Sequence, residues 1–140
     1  MRTQNGIQAR AADALLSKRA LAFAHGAFFL VAGLWPIAHL RSFEFVTGPK
    51  ADGWLVKTVG TLIAVCGAVI VNAARRDRVS PEVIALANGV SGSLGYISFH
   101  YARKHRISRI YYLDALMESI ILLAWATVGF RRSARSTGPA

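Results

Sequence analysis

The sequence predicts an all-α fold: a four-helix transmembrane bundle of up-down-up-down topology, led by a short N-terminal interfacial helix. Three observations carry this expectation. Apolar residues make up 54% of the chain and charged residues only 17%, against about 25% charged in an ordinary soluble domain. The charges cluster between long apolar runs. Four of those runs approach the roughly 20 residues that a helix needs to cross a bilayer. Together they use most of the 140 residues, so one transmembrane domain is expected over 20–130.

Residues 1–19 are polar, with Arg2, Arg10, Lys18 and Arg19, and Ile7, Ala11 and Leu15 give weak helical periodicity. An interfacial helix leading into the membrane is predicted there, rather than a cleaved signal peptide. The first spanning helix is placed at 20–39, with His25 as its one mid-run polar residue and Pro36 near its end. Residues 40–53 read as a loop with a turn at Thr47-Gly48-Pro49. Asp52 is expected to cap the second helix through its carboxylate. That helix, 53–74, starts with Trp54 at the interface and carries Lys57 near its start. A stripe of Gly60, Ala64 and Ala68, with Gly67 beside it, suits close helix contact.

Ser80 and Pro81 are an N-cap and a first-turn proline for the third helix, 81–101. Its pairs Gly89/Ser93 and Ser91/Gly95 suggest that it is the central packing element. A basic loop follows, with Arg103, Lys104, Arg106 and Arg109. The fourth helix is placed at 107–130, and 131–140 is expected to be a basic, flexible tail.

The net charge is +10. In a soluble protein this would point to nucleic acid, but no RNA- or DNA-binding motif accompanies it. Lys and Arg flanking membrane spans are the simpler account, so the bilayer is the expected partner and nucleic acid is not. Arg2, Arg10, Lys18, Arg19, Arg75, Arg76, Arg78, Arg131, Arg132 and Arg135 fall on one side of an up-down bundle. Arg41, Lys50, Lys57, Arg103, Lys104, Arg106 and Arg109 fall on the other. The excess favours cytoplasmic termini in a multi-pass inner-membrane protein. The lone Cys66 reads as a small apolar residue. The chain has no metal-ligand spacing, nucleophile elbow or phosphate-cradling loop, so no cofactor, metal or catalytic residue is assigned.

One constellation stands out. The same topology brings His39, Arg41, Lys57, His100, Tyr111, Asp114 and Glu118 to the non-cytoplasmic side. Tyr111, Asp114 and Glu118 share one helix face, with Trp125 further along it. Acids inside a span should face the bundle interior. Lys57 and Arg41 are their expected partners, with His39 and His100 at the rim. The competing reading is structural: these groups face water, snorkel, or fix helix register. His25 is expected to make an interhelical hydrogen bond to Asn72 or Glu82.

The size, helix count and polar start of the second helix, with the segment from Thr47 to Lys57, resemble the small bacterial four-helix inner-membrane proteins called DoxX-like. The resemblance implies location and transfers no site residue. The functional expectation is a non-enzymatic membrane protein that binds a small molecule or partner in an outward-facing polar pocket. The alternatives are a proton-coupled transporter, with Glu118 carrying the proton and Lys57 acting on it by charge proximity, and an accessory subunit or homo-oligomer packed through small-residue faces.

Overall fold

The computed structural model describes residues 2–136, with side chains from 18 to 129. Among the described residues there are five helices and no strands. They are α1 (Arg2–Ala38), α2 (Leu40–Thr47), α3 (Gly53–Arg75), α4 (Pro81–Arg103) and α5 (Tyr111–Ser136). Three segments are long and apolar enough to cross a membrane: Lys18–Ala38, Gly53–Arg75 and Tyr111–Gly129.

Several boundaries differ from expectation. The N-terminal helix is not a separate piece, because residues 2–38 form one continuous helix. The predicted loop at 40–53 contains α2, whose N-cap is His39: its Nδ1 accepts the Ser42 N–H at 3.2 Å. The Trp35 indole donates to Ser42 Oγ at 2.8 Å and clips α2 to the end of α1. Asp52 sits at the N-cap of α3, but its side chain makes no capping bond. Ser80 does cap α4, accepting from Val83 N. The fourth long helix begins at Tyr111 and continues to Ser136, through most of the segment expected as a flexible tail; 137–140 lie outside the described residues.

Two antiparallel hairpins make up the fold. In the first, α1 lies on α3 with Gly26 against Gly67 and Gly33 against Gly60. A Cβ at Gly26 would stand 2.8 Å from the Gly67 carbonyl oxygen, and one at Gly67 would stand 2.7 Å from that of Gly26. Only glycine permits this backbone approach. Ala64 is buried in the same seam, while Ala68 of the predicted stripe is exposed.

In the second hairpin α4 lies on α5. Ser91, Ser98 and Ala102 are buried, and Gly95 brings α4 against Glu118. Gly89 and Gly92 have open space where a Cβ would go. The tightest seam is therefore α1–α3, and α4 is not the central packing element its composition suggested. Small residues give close contact only where the partner helix also has room.

The hairpins meet at one end. Ala22, Phe29, Ile70, Ala74, Val79, Ala87 and Trp125 form a buried cluster near the short connection between α3 and α4. Lys18 donates to the Val79 carbonyl, and Arg19 reaches that of Arg75. These bonds satisfy carbonyls at and just beyond a helix C-terminus, where cations are also favoured by the helix dipole. Outside the seams, large apolar side chains face outward: Val31 is 71% exposed, Leu62 62% and Leu123 66%. An apolar surface this extensive marks contact with lipid or another apolar partner.

Candidate functional site

At the other end the hairpins part, and a cavity of about 380 Å³ lies between them. From α1 it is lined by Phe28, Phe29, Ala32 and Pro36, and from α2 by Phe43. α3 supplies Leu55, Val56, Val59, Gly60 and Ile63, and α4 supplies Leu94, Ile97 and Ser98. Lys50, Ile107, Tyr111, Asp114 and Glu118 complete the wall. The volume is at the low end of the roughly 300–1,000 Å³ usual for small-molecule sites, and the apolar wall with a few polar groups has their usual character.

The polar groups gather on the α5 side. Tyr111, Asp114 and Glu118 recur every three or four residues, so one helix face carries them all to the cavity. Asp114 Oδ2 accepts the Ser98 hydroxyl at 2.7 Å. Glu118 is 1% exposed, and its Oε2 has no hydrogen-bond partner. The loop before α3 closes back over the start of α5. Gly48, at φ 88°, turns the chain so that it approaches Ser108. Lys50 then bonds the Thr47 carbonyl at 3.0 Å, with its ammonium 4.9 Å from the centre of the Tyr111 ring.

Beneath the cavity, hydrogen bonds link three long helices. Trp125 Nε1–H donates to His25 Nδ1 at 3.1 Å, and His25 Nε2 lies 2.9 Å from Ser91 Oγ. An indole can only donate, so Nδ1 must be bare. The neutral ring then carries its proton on Nε2 and donates to Ser91. The chain from Trp125 through His25 to Ser91 thus has a consistent donor direction. Asn72 and Glu82, the expected partners of His25, are both exposed.

The seven predicted site residues divide. Tyr111, Asp114 and Glu118 meet in the cavity wall; Lys57, Arg41, His39 and His100 do not line it. Lys57 is exposed, about 100° round α3 from the lining residue Val56. Arg41 is exposed on α2, and His39 is used as that helix's cap. His100 stacks on Tyr96 at 5.5 Å and meets Tyr101 edge-on. The cation near the cavity is Lys50, in a turn legible in the sequence but not connected there to Tyr111. Among the described residues, no group of three or more His, Cys, Asp or Glu has metal-binding geometry.

Searches against protein-family models, curated proteins and solved structures return no match. The functional reading therefore rests on this geometry.

Proposed function

We propose that the chain is a four-helix up-and-down membrane protein, with α4 as its fourth span, that binds a small amphipathic molecule between the two hairpins. The observation that carries this reading is Glu118: a carboxyl 1% exposed, with one oxygen unpartnered, set in the wall of a cavity of about 380 Å³. A buried polar atom left without a partner costs about 1–3 kcal/mol. Retaining one beside an open apolar cavity suits a site completed by something else. The buried Ser91 and Ser98 turn part of α4's polarity inward, toward α1 and α5, which supports its role as a span despite its lower hydropathy. The distribution of Lys and Arg favours cytoplasmic termini in an inner membrane, with the cavity toward the opposite face.

The test is extraction and mass spectrometry of small molecules retained by the purified chain in mild detergent. Wild type is compared with Ala32→Trp, which fills the cavity, folding being checked by helical circular dichroism. The expected result is a species held by wild type and lost from the filled variant. Identical contents in both would remove the binding reading.

A further inference from the structure

The geometry points to a ligand of one chemical class: a small monocation with a primary or secondary ammonium group on an apolar body. This inference rests on the proposed binding function and specifies its ligand. In its ionised form Glu118 offers Oε2 as an acceptor, so a ligand that completes it must donate a hydrogen. Asp114 lies one turn away on the same face. The Ser98 bond engages its Oδ2, and Oδ1 remains for a second donor. An ammonium group has N–H bonds for both carboxyls. A neutral alcohol can supply one donor without charge compensation, and a carboxylate would add a third acid.

The rest of the wall specifies the body. Phe28, Phe29, Phe43, Ile63 and Leu94 are apolar and offer nothing to a second polar end. The aromatic rings also tolerate a cation passing over their faces. Lys50, already seated over Tyr111 at the cavity rim, disfavours a second positive charge on the ligand. No described side chain completes Oε2: Lys57 and Arg41 are exposed, and Lys50 is committed to the Thr47 carbonyl. A bound ammonium group would supply that donor.

The experiment is calorimetric titration of the whole chain in non-ionic detergent with phenethylamine, phenethyl alcohol and phenylpropionate. These probes share an aromatic body and differ mainly at the polar end. The expected result is that the amine binds at least tenfold more tightly than the alcohol, with the acid weakest. Glu118→Gln, which keeps the shape, should abolish the amine's advantage. Lys50→Met removes a positive charge from the cavity wall and should raise the affinity for the amine several-fold relative to that for the alcohol. It thus tests the charge assignment even where Glu118→Gln fails to fold. Equal affinity for amine and alcohol, or an amine preference that survives Glu118→Gln, overturns the cation assignment but leaves a binding cavity. Absence of binding by all three, with the Ala32→Trp variant retaining the same extracted molecules as wild type, removes the cavity function as well.

Discussion

The two ends of the molecule are built from the same four long helices and packed in opposite ways. At the α3–α4 connection, Ile70, Ala74, Val79 and Ala87 close into a continuous core, and Lys18 and Arg19 bind the turn from below. At the other end Val56, Val59, Leu94 and Ile97 line open space. Connectivity explains much of the difference. The short link from α3 to α4 holds the hairpins together at the closed end. At the open end each link joins helices within one hairpin, so contact between hairpins depends on side chains alone. Local composition adds to this. The glycine pairs zip α1 to α3 along their length, but no equivalent seam joins α3 to α4.

The sharpest way to break the comparison is through the glycines. Gly67→Ala places a methyl against the Gly26 carbonyl and a neighbouring backbone nitrogen, both at 2.7 Å. Because neither can rotate away, it should destabilise by about 3 kcal/mol. Gly89→Ala meets open space on a helix of similar length and should be neutral, or stabilising by up to about 1 kcal/mol. An SDS titration in mixed micelles reads both. Equal effects would mean that the α1–α3 seam is not the tight one.

Core truncation contrasts the ends directly. Ile70 is fully buried at the closed end, and Ile70→Ala should cost about 2 kcal/mol. Val59 already borders empty space, so Val59→Ala should cost about 0.5 kcal/mol, as it makes little new void. The same titration separates them, and a Val59→Ala loss as large as that of Ile70→Ala would mean that the open end is packed after all.

The border between the ends is the hydrogen-bonded chain at His25. His25→Leu leaves the Trp125 indole without its acceptor and Ser91 without its donor, and should cost about 1.5 kcal/mol. Trp125 fluorescence should also change, since its N–H loses a partner. A stability loss without a spectral change would place the effect outside this chain.

Much of this was legible in the sequence, and the exceptions share a cause. The apolar runs and their breaks indicated the long helices, because length and hydropathy are local properties. The spacing of Tyr111, Asp114 and Glu118 predicted their common face, since helical periodicity is also local. The partners of those acids were not legible. Lys57 has the right depth but the wrong rotation about α3, and depth alone cannot distinguish a lining position from an exposed one. Lys50 reaches the rim because Gly48 turns its loop back across α5, a long-range consequence of a backbone conformation. Likewise His25 finds Ser91 and Trp125 at sequence separations of 66 and 100 residues, beyond any periodicity argument.

Whether the two ends differ in cooperativity as well as packing can be tested at the C-termini of α3 and α4. α3 and α4 finish in the same way, each with a non-glycine residue in the left-handed region: Asp77 at φ 54° and His105 at φ 53°. Arg78 N bonds the Ala73 carbonyl and Arg106 N that of Tyr101, so the two turns share one C-terminal motif. Glycine removes the Cβ strain at such a position, and each of Asp77→Gly and His105→Gly should stabilise its own turn by about 1 kcal/mol. Their reach should differ. Asp77 follows the buried Ala74 and precedes Val79, so its gain should appear as a shift of the whole unfolding transition. His105 caps the end where the hairpins part, so its gain should appear chiefly as slower amide hydrogen exchange in the last turn of α4. Equal shifts of the global transition would indicate that the open end unfolds together with the closed one, and that the cavity is held as firmly as the core beneath it.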